Sequence, residues 1–308
     1  MRFEIGLAPM AGYTDRAFRK ICLEFGADFA FTEMISAKGL LVACEKTKNL
    51  LPGPDERNVA VQIFGSDPDV LSTAAEELSK EFSWVDLNAG CPVRKVIRRG
   101  EGGALLRDLE RLRYVVRAMR KRMNGRFSVK TRLGWDRNEI ERIYAVLIEE
   151  GVNVIFVHAR TVVQGFSGRA DWKALSVLDK VVPTFMSGDI FSPEDARRAL
   201  EESGCHGVIV ARGAIGNPWI FKQIRDLLEK GGYEEPSPMQ VYEVFVKHLE
   251  LLIENKGEEK ALKEMRKFVA GYTKKMRNAK KFREVFMKIE NVDLLKEMVY
   301  NFFKEQEV

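Results

Sequence analysis

The feature that most constrains this chain is an alternation of eight short β-rich runs with helix-length segments, running from the start to about Gly232. The runs are Ile5–Ala8, Phe29–Phe31, Val59–Phe64, Trp84–Leu87, Ser128–Thr131, Val154–His158, Thr184–Met186 and Gly207–Ala211. Amphipathic segments lie between them, among others Asp15–Phe25, Pro68–Lys80, Leu109–Arg122, Glu139–Glu150 and Pro193–Glu202. Asp67 before Pro68 and Ser192 before Pro193 place a capping residue ahead of a proline suited to the first helical turn. Strands joined by crossover helices pair in parallel, and eight such units over ~230 residues predict an α/β fold, a (β/α)8 TIM barrel. An open doubly wound sheet is the alternative, but it usually has fewer strands.

After the barrel, Gly231-Gly232-Tyr233-Glu234-Glu235-Pro236-Ser237-Pro238 reads as a linker. Only helical text follows: Met239–Glu254, Glu258–Met276, Ala279–Ile289 and Val292–Phe303. The expected division is a catalytic barrel over residues 1–235 and a small all-helical C-terminal domain over 236–308. Net charge is only +5, but nine of the basic residues and a single acid fall between Lys263 and Arg283. A solvated helix face normally intersperses acids, so this segment predicts a surface for a polyanion.

Other classes are excluded by composition. No apolar run reaches the ~18 residues of a membrane span, and Met1-Arg2-Phe3-Glu4-Ile5 lacks the apolar core of a leader. A cytoplasmic protein is expected. Cys22, Cys44, Cys91 and Cys205 form no C-x-x-C pair, which suggests neither zinc nor an iron–sulfur cluster. Cys22, Cys44 and Cys205 read as packing residues. Cys91 differs: Asn88-Ala89-Gly90-Cys91-Pro92 sets one thiol on a loop just past a strand end, with Arg94, Lys95, Arg98 and Arg99 close behind. A thiol able to give or take a proton beside positive charge suggests chemistry on a phosphate-rich substrate.

In such barrels the C-terminal strand ends gather into one site. Here they carry Ala8-Pro9-Met10-Ala11-Gly12, Gln62, Asn88 with Cys91, Lys130, His158, Ser187-Gly188-Asp189 and Ala211-Arg212-Gly213. The last two offer small residues, free backbone N–H groups and one guanidinium, suited to a phosphate. Gln62, Lys130 and His158 could bond a polar heterocycle. Flavin mononucleotide (FMN) fits that plan, whereas no G-x-G-x-x-G follows the first strand to hold a Rossmann dinucleotide.

Nine stretches, in order over roughly residues 5–221, then resemble the tRNA-dihydrouridine synthases of bacterial type. They include Ala8 to Asp15, Thr32-Glu33-Met34, Val61 to Gly65, Asn88 to Val96 and Gly100 to Leu106. Val129 to Trp135, His158 to Thr161, Gln164 to Trp172, and Gly213 to Phe221 with its Gly216-Asn217-Pro218-Trp219 complete the series. The resemblance implies reduction of the C5–C6 double bond of chosen uridines in tRNA, with FMN reduced by NADPH. Hydride would pass from the flavin to C6, and Cys91 would give the proton to C5. Pro9, Met10, Ala11, Gln62, Lys130, His158, Ser187, Gly188, Asp189, Ala211 and Arg212 would hold the flavin. Asn88 and Arg160 would face the uracil or its phosphate. Lys95, Lys274, Lys275 and Arg277 would lie on the tRNA path. No metal is implied, and the chain is expected to act as a monomer. Ser187, Ala159 and Ala211 depart from the family's usual Asn, Gly and Gly, all small changes beside the expected flavin site. Two other readings compete: an FMN-dependent dehydrogenase of a free pyrimidine such as dihydroorotate, and a catalytically dead tRNA-binding protein.

Overall fold

The computed structural model describes residues 3–307. Met1 and Arg2, part of the run read above for a leader, lie outside them. The strands among the described residues are β1 (Glu4–Leu7), β2 (Phe29–Phe31), β3 (Ile35–Ser36), β4 (Val59–Phe64), β5 (Trp84–Asn88), β6 (Arg126–Arg132), β7 (Val154–His158), β8 (Thr184–Ser187) and β9 (Gly207–Val210). All the pairings are parallel, and β2 meets β4 while β1 meets β9. The sheet therefore closes on itself into a barrel, with β3 a two-residue addition to β4 beyond β2. The sequence places every barrel strand to within two residues at each end. It does not reveal β3, which is too short to show a period.

Two apolar layers hold the barrel. Outside the sheet, Ile5, Val61, Val85, Val129 and Ile155 face the helices. Residues one position away point inward, where Phe29, Phe31, Trp84, Phe156 and Phe185 pack as a separate aromatic cluster. Phe31 meets Phe156 edge-on at 4.9 Å, and Phe156 stacks on Phe185 at 5.0 Å. This plug fills the barrel below its mouth. Cys22 and Cys205 are buried as expected, but Cys44 is exposed. It sits just ahead of the short helix Glu45–Lys48, a surface position, so the packing reading fails for it.

The helix over Pro238–Lys256 begins with a Ser237/Gln240 capping box. The single helix expected over 258–276 is broken instead into Glu258–Met265 and Val269–Tyr272. The second of these helices packs closely on the barrel. A Cβ at Gly271 would lie 1.9 Å from the Ile215 carbonyl oxygen, so the backbone there seats directly on the barrel loop after β9. Beyond it come Ala279–Phe286 and Val292–Lys304. Phe268 packs against Phe18 at 5.0 Å and His248 at 4.5 Å, joining the C-terminal helices to the first barrel helix, Arg16–Glu24. One apolar cluster runs through both.

The break also corrects the expected basic face. Lys267 is turned inward onto the Gly12 carbonyl and Glu264, and Arg266 and Arg283 are half-buried. Lys274, Lys275, Arg277, Lys280 and Lys281 remain at the surface.

Candidate active site

A cavity of about 420 Å³ opens at the C-terminal end of the barrel, within the range of small-molecule sites. Its wall contains Pro9, Met10, Ala11, Gln62, Asn88, Cys91, Lys130, His158, Ser187, Gly188, Asp189, Ala211 and Arg212. Those are all of the residues that the resemblance gives to the flavin, together with Asn88 and the thiol. The wall also holds Tyr13, Met34, Arg132, Phe166, Phe191 and Ile215, which the sequence does not assign to the site. Arg132 could have been found, since it alternates with Lys130 on one strand. Phe166 and Phe191 lie on loops, where no periodicity points inward.

Cys91 is held by a local turn. The Asn88 side-chain oxygen accepts from the Gly90 N–H (3.1 Å) and the Cys91 N–H (2.9 Å). Gly103 donates to the Cys91 carbonyl at 3.0 Å, and a Cβ on Gly103 would come within 2.9 Å of that oxygen. The loop is thus pinned from two sides while the thiol faces the cavity. Burial pushes the Cys91 thiol up, against the opposing pull of the Val93 N–H, Arg132 and Lys130. It keeps its proton at neutral pH, as a proton donor requires.

The wall next to the thiol is cationic, because β6 neighbours β5. Burial lowers Lys130 to about 8, with Arg132 adding to the effect. Burial also lowers Arg132 to about 10, with Arg160 contributing. His158 is driven far below its ordinary value by burial, then by Arg132, Lys130, Arg160 and Arg212, so its imidazole stays neutral. Arg132 donates to the carbonyls of Gly90 (2.8 Å), Thr161 (2.8 Å) and Gly165 (2.7 Å). One guanidinium therefore ties the Cys91 loop to the loop after β7.

Arg160 does not line the cavity. It is 1% exposed, and its guanidinium is taken up by Ser167 O (3.0 Å), Gly168 O (2.7 Å), Asp189 Oδ2 (2.5 Å) and a longer contact to His158 Nε2 (3.3 Å). The substrate contact implied for it is corrected: it braces the wall from behind, buried, with four of its five N–H groups directed at protein atoms. Asp189 is likewise engaged, by Arg160 and the Ala170 N–H (2.9 Å). It adopts φ +55°, next to Gly188 at φ +116°. A Cβ on Gly188 would meet the His158 ring at 2.9 Å, so only glycine fits. Arg212, half exposed and 3.5 Å from Asp189, is turned toward the opening, where it can meet an anion. Lys95 lies outside the cavity wall on the exposed turn Arg94–Ile97, and Lys274, Lys275 and Arg277 lie in the C-terminal helical region.

The family described as dihydrouridine synthase (Dus) matches residues 6–307. A probable tRNA-dihydrouridine synthase of Treponema pallidum is 37% identical over 290 residues, covering 89% of this chain and 85% of that protein. One from Aquifex aeolicus is 36% identical, covering 94% and 92%. The tRNA-dihydrouridine synthase B of Pseudomonas aeruginosa is 33% identical, covering 98% and 93%. Among solved structures, histamine dehydrogenase from Rhizobium sp. 4-9 has a TM-score of 0.50 at 11% identity, over 81% of this chain and 49% of that one. A 2-naphthoyl-CoA reductase scores 0.53 at 10% identity, over 72% and 49%. The chain spans about half of each of these two, and the likeness is one of barrel fold. With a family match across nearly its whole length, and relatives above 30% identity that are themselves almost fully covered, the chain belongs to the dihydrouridine synthase family.

Proposed function

We propose that the protein reduces the C5–C6 double bond of selected uridines in tRNA, with FMN in the barrel mouth and NADPH as reductant. The observation that carries this reading is a proton-bearing thiol at the wall of a cavity, with Lys130 and Arg132 beside it on the neighbouring strand β6. FMN is tested by the donor set. Arg212 stands beside small residues at the ends of β8 and β9, where a phosphate would sit. Lys130, Gln62 and neutral His158 face the interior, where a ring with carbonyl and imide groups would need them. The residues fit. When bound and reduced, the flavin supplies a hydride to C6 of the uracil.

The chain's own residues do the rest. As C6 gains hydride, C5 acquires negative charge, and Cys91 Sγ–H stands at the wall to protonate it. Asn88 holds the Cys91 backbone so that the thiol meets one carbon only. Met34 and Tyr13 add apolar surface to the same wall. The target base has to leave the tRNA stack, which costs a few kcal/mol, repaid within the pocket. Lys95 and the exposed lysines near Lys274 supply backbone attraction outside it.

The test is anaerobic single-turnover oxidation of the NADPH-reduced, flavin-loaded protein, followed by flavin absorbance with and without unmodified tRNA. Rapid tRNA-dependent reoxidation with dihydrouridine in the product is the expected outcome. Reoxidation by orotate but not by tRNA sinks the tRNA reading. A protein that takes up no flavin sinks the redox reading.

A further inference from the structure

The barrel interior contains one polar strip where its surroundings are aromatic. Asp86, at the centre of β5, is fully buried, two residues from Trp84 of the aromatic plug. Register pairs it with Gln62 on β4 and with Ser128 on β6. An interior carboxyl is costly unless its partners are organised around it.

The partners form a chain with a direction at every link. From one end, Trp84 Nε1 donates to Ser128 Oγ (2.8 Å), and Ser128 donates to Asp86 Oδ1 (2.5 Å). From the other end, the Gly90 and Cys91 N–H groups donate to Asn88 Oδ1. Asn88 Nδ2 then donates to Gln62 Oε1 (2.9 Å), and Gln62 Nε2 donates to Asp86 Oδ2 (2.8 Å). An indole and two backbone amides can only donate, so both ends are fixed. The two runs of donors meet head to head at Asp86. On the Gln62 side only an acceptor at position 86 closes the chain, and a carboxyl oxygen supplies it; the Ser128 hydroxyl, with two lone pairs, can face either an acceptor or a donor there.

We propose that Asp86 is a positioning residue for the donor thiol. By accepting from Gln62 it fixes which way the Gln62 amide faces. That choice fixes Asn88, and Asn88 Oδ1 then caps the Cys91 backbone. If Gln62 flips, its amide nitrogen confronts the Asn88 amide nitrogen. If Asn88 flips in turn, its amide nitrogen confronts two backbone N–H groups and the cap is lost. Asp86 thus acts on Cys91 from three links away without touching substrate. The inference rests on the reading of Cys91 as proton donor.

The test compares Asp86→Leu with Asp86→Asn in flavin-loaded protein. Leucine removes the acceptor that Gln62 needs. Asparagine keeps it, by turning its oxygen to Gln62 and its nitrogen to Ser128 Oγ. Asp86→Leu is expected to lose about 10-fold or more in tRNA-dependent reoxidation rate, with KM for tRNA within about 2-fold and flavin still reducible by NADPH. Asp86→Asn is expected to restore the rate to within about 3-fold of the parent. Parental reoxidation in Asp86→Leu overturns the proposal. So does an Asp86→Asn variant as slow as the leucine one, because charge or packing rather than acceptor geometry is then the cause. If Asp86→Leu does not fold, the side-chain amide protons of Gln62 and Asn88 in the parent decide by NMR. Slow exchange with solvent supports the relay, and fast exchange overturns it. A parent protein that tRNA cannot reoxidise fails the functional reading instead, and the amide measurement still reports on the relay.

Discussion

At the residue scale the site separates into one group that moves a proton and several whose charge state at neutral pH is set by burial and by one another. Replacing Cys91 by alanine should leave flavin binding and NADPH reduction intact and cut dihydrouridine formation by about 10²-fold or more, the typical worth of a positioned acid. Flavin loss in that variant would show that the thiol is a structural contact. The pH profile of the tRNA-dependent step carries a sign for each group. His158 is held neutral, so no acid-side limb should appear near its ordinary 6.5. Lys130 sheds its charge as pH rises through about 8, and the rate should begin to fall there. Cys91 ionises only above the ordinary thiol value of 9.0, so a second loss lies higher still. Measuring single-turnover rates from about pH 5 to 10 checks all three, and Lys130→Arg should erase the limb near 8 because an arginine stays charged.

At the scale of elements, what matters is how loop is tied to strand. Arg160 leaves the end of β7 and grips both the 167–168 backbone and Asp189 after β8. Arg160→Met keeps the bulk of the side chain and removes the donors. The expected result is flavin affinity lowered by about 10-fold or more, because a broken buried charge pair frees Asp189 and the loop together. Equilibrium titration with FMN, read by flavin fluorescence, checks this. Were Arg160 a substrate contact instead, KM for tRNA would rise with flavin affinity unchanged.

At the scale of the whole molecule, the C-terminal helices are part of the barrel's core and also touch its site. Lys267 reaches the Gly12 carbonyl and lies 5.4 Å from the Tyr13 ring, on the loop that lines the cavity. Lys256 pairs with Asp15, the cap of the first barrel helix. A chain cut at Pro236 should therefore be insoluble, or melt at least about 10 °C lower and release flavin, since Phe18 and its neighbours would be bared. Thermal melts of the flavin-loaded full and cut chains check it. Truncation is then a poor probe of tRNA binding. Charge removal is cleaner: Lys274, Lys275 and Arg277 changed together to alanine should lower tRNA affinity at low salt. The slope of log affinity against log salt should fall by about 0.7–0.9 for each phosphate that these side chains no longer neutralise. An unchanged slope removes this surface from the tRNA path.

The eight barrel strands, their closure and the residues gathered at the mouth are legible in the sequence, because hydrophobic period and turn residues are local properties. Gln62, Lys130, His158 and Arg212 stand at strand ends, and a closed parallel barrel brings strand ends together whatever its details. The family motifs point to Cys91 for the same reason: they are contiguous in the chain. Lys267 and Arg160 are misread in one dimension because each looks like a solvent-facing or ligand-facing cation there. Their partners, Gly12 and Asp189, lie 255 and 29 residues away. Asp86 is inconspicuous inside an apolar strand, Trp84 to Leu87, since its significance comes from Gln62 and Ser128 on the neighbouring strands. Chain order determined which elements form and where the chemistry collects. Closure of the barrel and docking of the helical tail decided which charges face the cavity and which are spent holding it open, because burial and pairing arise only when distant segments meet.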